Sequence, residues 1–457
     1  MFKLKTLVTA GAAAVLLSSP ALYAKVSPAE ANKLKGELTP FGATKAGEGE
    51  IPAWDGGIKE PIAGYKGSGD FHPDPYAGET AKFTITSANL GQYKDKLSPG
   101  QVKMFETYPD TYKMNVYPTH RSFAAPQWVY DNTFKNATDA ELISDGNGLK
   151  GAYGGIPFPI PQSGVEAVWN HTMRWRAEFG QREVSSVAVQ RNGAYALTTL
   201  DQSADFIYYH QGGNEADLDN KLFYFMSITK APARLAGGAI LVHETMDQLK
   251  EPRQAWAYST GQRRVRRAPN IAYDTPTSDS DGLRTADETD MFNGSPDRYR
   301  WELKGKKVMY VGANNYKLDD SSVKYKDLLT SGHLNPEFVR YEARRVWVVE
   351  GNLKTDENKR HIYNKRVLFL DEDTWSVVVT DKYDNRGELW RVAMSHPKNH
   401  YEVPTEISAL DVYYDLKSKR YNALGLDNEQ SHLMKFSSEY PDKSHFTPGN
   451  LRRLGKR

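Results

Sequence analysis

The sequence predicts a mainly β protein of α+β type, built on one large, curved or sandwiched antiparallel sheet. Three observations carry this. Strand-like runs follow one another from Val184 to Thr380 with compact turns between them. Helical periodicity is confined to short segments, nearly all before residue 180. The strand–helix–strand alternation of a doubly wound dinucleotide fold is missing.

Taken in order, Lys3 and Lys5 precede an apolar run from Leu7 to Leu17, and Leu22-Tyr23-Ala24 closes the segment. That pattern predicts a secretory signal peptide over residues 1–24, too short in its apolar part to be a permanent membrane span. Ser27 and Pro28 fit the N-cap and first position of a short helix ending near Leu34. From Gly36 to Tyr76 the chain is dense in Gly and Pro, with Trp54, Tyr65 and Phe71 embedded. Such a stretch makes neither long helices nor central strands, and reads as a wrapping arm or, failing that, a linker.

Leu90, Tyr93, Leu97, Val102 and Phe105 suggest helical pieces broken at Ser98-Pro99-Gly100, with Pro99 opening the second. Thr138–Leu142 looks like another helix start, and Val165–Phe179 has amphipathic spacing at Val168, His171 and Trp175. Val187–Val189 and Ala194–Leu200 form a hairpin across Arg191-Asn192-Gly193. In Leu222–Ile228 both faces are bulky: Leu222, Tyr224, Met226 and Ile228 on one, Phe223 and Phe225 on the other. One face meets the core and the other a cavity or a helix. Ala239–Glu244, Gln254–Ser259, Lys307–Val311, Arg345–Glu350, His361–Leu370 and Trp375–Thr380 complete the meander.

Composition narrows the function. Without residues 1–24 the chain loses two lysines and no acids, which brings Lys+Arg, 59 in the full chain, level with 57 Asp+Glu. A neutral protein lacks the positive excess of a nucleic-acid binder. Cys is absent, so neither disulfides, nor thiol catalysis, nor lipidation of an N-terminal cysteine is available.

Catalytic and metal motifs fail on spacing, so no catalytic residue, metal or cofactor is assigned. Gly146–Gly151 matches GxGxxG but lacks the preceding strand and following helix. His243-Glu244 would need a second His where Asp247 stands. Thr277, Asp279, Asp281, Gly282 and Glu288 follow calcium-loop spacing, but Thr277 replaces the first Asp and Pro276 the end of the entering helix. His171 and His333 read as hydrogen-bonded structural residues. Carboxylate pairs for glycoside hydrolysis are a three-dimensional matter that the sequence leaves open.

Two groups of residues remain. Arg263, Arg264, Arg266 and Arg267 precede Asp279, Asp281, Asp287, Glu288 and Asp290. They predict an intramolecular electrostatic latch, with partner or anionic-headgroup contact as the alternatives. Phe223, Phe225, Trp256, Tyr258, Tyr310, Trp347 and Phe369 are the candidates for lining an apolar ligand cavity, and an ordinary packed core is the alternative for each.

Several runs carry a family resemblance. Trp256-x-Tyr258, Gly261–Arg267 and Asp290-Met291-Phe292 resemble the DUF1329 family, as do Pro157–Pro161, Glu166–His171, Gly332–Pro336, Val346–Glu350 and Arg360–Tyr363. A looser form of the pattern, strand, Arg-Arg-Val-Arg and acidic loop, is similar to periplasmic lipoprotein carriers of the LolA/LolB type. The resemblance implies a single domain over 25–457. It also implies an incomplete barrel, covered by helices and enclosing an apolar cavity. Its implied role is a periplasmic carrier in a Gram-negative cell, taking a lipid or other hydrophobic molecule towards the outer membrane. The implied donor is an inner-membrane transporter of the resistance-nodulation-division (RND) class, and the acceptor an outer-membrane protein. A periplasmic hydrolase of envelope lipid or polysaccharide, and a scaffold without cargo, are the competing readings.

Overall fold

The computed structural model describes residues 25–455 except 269, 270, 272 and 432; the signal peptide expected over 1–24 lies outside the described residues. Six helices are short: α1 (Pro28–Ala31), α2 (Pro99–Thr107), α3 (Gln127–Asp139), α4 (Gly164–Thr172), α5 (Tyr325–Leu328) and α6 (Pro448–Leu454). The first eight strands are β1 (Phe83–Ile85), β2 (Met114–Val116), β3 (Glu141–Ile143), β4 (Gly148–Lys150), β5 (Phe179–Val189), β6 (Leu197–Asp205), β7 (Lys221–Ala231) and β8 (Ala239–Thr245). Next come β9 (Gln254–Ser259), β10 (Arg264–Arg267), β11 (Tyr299–Gly312), β12 (Tyr341–Leu353) and β13 (Lys365–Asp371). The last five are β14 (Val377–Tyr383), β15 (Leu389–His400), β16 (Thr405–Asp415), β17 (Arg420–Leu426) and β18 (Lys435–Ser437).

All but β3 and β4 join one sheet, ordered β1-β2-β12-β13-β14-β15-β16-β17-β5-β6-β7-β8-β9-β10, with β11 added on β12 and β18 on β5. Every pairing is antiparallel except one bridge between β2 and β12. Among the described residues β1 and β10 end the path without pairing to each other, so the sheet is an incomplete barrel. No described helix is long and apolar enough to cross a membrane.

The central strands are covered on both faces. Val392 and Met394 of β15, and Val412 and Tyr414 of β16, pack beneath α2 and the chain around Leu318–Leu334. The alternate residues Ala393 and Tyr413 pack with Phe41, Val129 of α3 and Trp169 of α4 on the other side. Each fully buried Val, Leu or Phe contributes about 1.5–3 kcal/mol, so this two-sided core anchors the molecule. The Gly/Pro-rich stretch lies against it, burying Phe41, Ile51 and His72.

Capping chemistry positions the helices: Ser27, Ser98 and Ser163 each accept from the third helical N–H, and Glu30, Gln101 and Glu166 return the bond. Two helix expectations are corrected. Thr138–Leu142 is the end of α3 followed by β3, because the helix begins eleven residues earlier, at Gln127. Val165–Phe179 is helical only to Thr172; Phe179 already pairs with Asp205 as the first residue of β5.

Candidate functional site

Away from the doubly covered centre, β6–β9 have a different face on each side. Tyr224, Met226, Leu241 and Trp256 pack under Phe446 and Leu451 of the C-terminal segment. The other face borders a cavity of about 620 Å³. Register explains its walls. Gln202, Ser227, Ile240 and Ala257 form one row across four strands, and Ala204, Phe225 and Val242 the next. Short side chains at Ala204, Ser227 and Ala257 leave a volume that larger ones would fill. Phe206, Phe223, Ile407, Leu424, Met434, Phe436 and parts of the 268–293 loop complete the lining.

Charges sit within this apolar frame, mostly in pairs. Arg174 and Arg176 both donate to Asp290 Oδ2, at 2.8 and 2.6 Å. Burial pulls the Asp290 carboxyl upward, but the two guanidinium groups hold it below the usual carboxylate range. Arg253 Nε donates to Glu244 Oε2 at 2.7 Å, and Arg284 Nη2 to Asp279 Oδ2 at 2.8 Å. Burial, and then the nearby Asp290 charge, raises the pKa of Asp411.

Of the seven aromatic candidates, the structure brings Phe223, Phe225 and Tyr258 to the cavity. Tyr258, which shares the Trp256 face of β9, borders the cavity while also packing in the C-terminal cluster and against Gly455 at the end of α6. The other four lie elsewhere, which corrects their placement. Trp256 sits on the opposite face of β9, 4.8 Å from the His243 ring. Tyr310 packs in the central core and its hydroxyl donates to Glu50 Oε1 at 2.9 Å. Trp347 stacks on Trp375, and Phe369 is buried in the core beneath α2. β12 and β13 are packed on both sides, so neither parity of their residues faces a void.

The latch is corrected in its partners. Among the described residues, Arg263, Arg264, Arg266 and Arg267 form no ion pair with the five acids; Arg264, Arg266 and Arg267 are exposed on the edge strand β10, and Arg263 in the turn before it. The acids reach cations elsewhere: Asp279 pairs with Arg284, Asp281 with Arg420, Asp287 with Arg366, Glu288 with Lys382 and Asp290 with Arg174 and Arg176. Asp279, Asp281 and Glu288 thus have separate cationic partners rather than a shared calcium site. Through these pairs the loop reaches β13, β14 and β17.

One donor cluster escaped the sequence reading because His72 is more than 300 residues from its other two members. His72, His400 and Glu402 bring ligand-type atoms within 4.8 Å of one another. Lys398 Nζ donates to His72 Nδ1 at 3.3 Å, leaving Nε2 to donate to Glu402 Oε2 at 2.8 Å. Burial pushes His400 down to about 3. A divalent cation would have to displace the Nε2 proton beside the Lys398 ammonium, so these donors fit a hydrogen-bonded core better than a metal centre.

Comparison with known proteins agrees with the resemblance to DUF1329. Residues 84–452 match the family described as a protein of unknown function, DUF1329. An uncharacterized Pseudomonas aeruginosa protein, PA3922, is 48% identical over 455 residues, covering 99% of both chains. Among solved structures, a candidate outer membrane lipoprotein-sorting protein domain from Vibrio parahaemolyticus aligns with a TM-score of 0.43 at 14% identity, over 64% of this chain and 98% of its own. A DUF1329 family protein from Desulfovibrio piger gives 0.41 at 13% identity, over 60% and 92%. A LolA superfamily protein from Nitrosomonas europaea gives 0.37 at 14%, over 63% and 98%.

Proposed function

This chain belongs to the DUF1329 family, and from its open sheet and apolar cavity we propose that it is a carrier for a lipid or other hydrophobic molecule. The observation that supports the reading most is the division of β7: Leu222, Tyr224 and Met226 pack into protein, while Phe223 and Phe225 border about 620 Å³ of space. A volume of this size lies within the roughly 300–1,000 Å³ of small-ligand sites. Binding there needs only burial of apolar surface, and no bond is made or broken.

The basic and apolar N-terminal segment supports placing the carrier in the periplasm. An RND-class transporter as donor and an outer-membrane protein as acceptor complete the proposal. The exposed arginines of edge strand β10, unused by the acidic loop, are a surface suited to an acidic partner. Site-specific crosslinking from Arg264 and Arg266 in cells checks this part: capture of neither membrane partner removes it.

The cargo reading is tested by titrating the delipidated full chain with a fluorescent fatty-acyl probe. Saturable binding at one site per chain, competed by unlabelled lipid, is the expected result. A probe that stays in solution contradicts the carrier.

A further inference from the structure

The cavity wall contains a cation, Arg182, that forms no ion pair among the described residues. Arg182 lies on β5 directly opposite Gln202 of β6, which continues the Gln202–Ser227–Ile240–Ala257 row into the neighbouring strand. Its Nε donates to Gln202 Oε1 at 3.1 Å. Among the described residues that is its only hydrogen bond. Among the described residues no carboxylate lies within ion-pair distance, and both Nη groups are unengaged. Arg182 and Gln202 both border the cavity.

The ion-paired acids of the lining are taken by other arginines. The cavity borders five arginines and four acids. Glu244 serves Arg253, Asp279 serves Arg284, and Asp290 is shared by Arg174 and Arg176. Asp411 has its charge opposed by burial and by Asp290. Burial likewise works against the Arg182 charge, with Asp427 and Asp411 the leading opposite charges that act on it. An unpaired guanidinium at an apolar cavity is costly when the cavity is dry, and a ligand anion would relieve that cost with two charge-assisted hydrogen bonds.

We propose that the cavity selects amphiphiles with an anionic head, a carboxylate or a phosphate, and that Arg182 engages that head while the β6–β9 face buries the chains. The inference rests on the carrier reading and adds the chemical class of the cargo. A planar guanidinium offers parallel donors matched to both head types, and Gln202 holds its Nε edge so that the Nη edge stays free.

The test uses the delipidated full chain with three probes: oleate, oleyl alcohol and dioleoyl phosphatidic acid. Oleate and oleyl alcohol have the same chain and differ in the head alone. Oleate is expected to bind at least about tenfold more tightly than the alcohol, as one charge-assisted contact would give. Arg182→Gln should remove that preference by weakening oleate binding, and Arg182→Lys should retain part of it. Phosphatidic acid binding more tightly than oleate would mark phospholipid as the source of the anion, and the reverse order a free fatty acid. Equal affinity of the unaltered protein for oleate and the alcohol overturns the headgroup assignment while the carrier stands, and requires no variant to fold. An intact preference in Arg182→Gln assigns the selectivity elsewhere and overturns the role of Arg182. Binding of none of the three overturns the carrier itself.

Discussion

Asp287 Oδ2 lies 2.7 Å from Arg366 Nη2, with both side chains sealed from solvent and 79 positions apart in sequence. The contact ties the acidic loop to β13, and the rings of Phe292, Tyr299 and Tyr363 surround the guanidinium. Thr285 and His361 also bond the carboxylate. The loop that lines part of the cavity is therefore fastened to the sheet at β13.

Removing one partner of such a pair leaves a buried charge without compensation. Asp287→Asn is expected to destabilise the protein by about 3–5 kcal/mol in urea unfolding. Arg264→Ala and Arg266→Ala, on exposed β10, should stay within about 0.5 kcal/mol. Similar losses at both places would restore the latch between the arginine cluster and the acids.

Gly100 is needed where α2 meets the sheet. Its N–H donates to Asp381 Oδ2 at 3.0 Å, and Ser98 Oγ donates to the other carboxylate oxygen at 2.9 Å. A Cβ at Gly100 would meet Asp381 Oδ1 at 2.1 Å and Val392 Cγ2 at 2.6 Å. In an open helix Gly→Ala gains about 1 kcal/mol. Here Gly100→Ala should instead lose about 1–3 kcal/mol by overpacking, measured by the urea midpoint. A gain would mean that α2 stands off the sheet.

His171 gives the pH prediction. Its Nδ1 accepts the Val377 N–H at 3.1 Å, so Nε2 carries the proton and donates to Asp290 O at 2.9 Å. Burial, followed by the Arg174 charge, lowers its pKa from 6.5 to about 4. Between these values the unfolded chain binds a proton that the folded protein refuses. The stability that neutral His171 supplies is thus complete above pH 6.5 and is lost as pH falls towards 4. Relative to His171→Gln, the unaltered protein should gain roughly 3 kcal/mol as pH rises across this window. A difference independent of pH contradicts the neutral buried imidazole.

Cavity volume can be altered from one face alone. Ala257 lines the cavity, whereas its neighbour Trp256 packs towards α6. Ala257→Trp should fill the space and weaken fluorescent-lipid binding by at least about tenfold, with secondary structure unchanged. Trp256→Ala should lower the melting temperature and leave the site's affinity within a few-fold. The opposite pattern would place the site on the α6 face.

Local signals were legible in the sequence wherever they decide structure without distant partners. Ser98-Pro99 fixed the start of α2, Gln254–Ser259 matched β9 end to end, and alternation in β7 separated Phe223 and Phe225 from Met226. α3 was hidden because Trp128, Val129, Tyr130 and Phe134 suit strands as well as helices, so the apolar period was ambiguous. Parity within a strand was visible, but which parity meets space depends on what lies across the sheet. That is why Trp347 and Phe369 fell in a packed core. Ion-pair partners were the least legible: Glu288 finds Lys382 and Asp281 finds Arg420 only once β14 and β17 are brought under the loop. Arg182 itself looks ordinary in sequence and becomes notable only when the fold denies it a carboxylate.

The most direct measurement is native mass spectrometry of the full chain purified from cells, with lipid extraction of the same sample. The account predicts a stoichiometric adduct that dissociates as an acyl-chain anion and is lost in Ala257→Trp. An empty protein from every preparation, still empty after incubation with lipid vesicles, would contradict it.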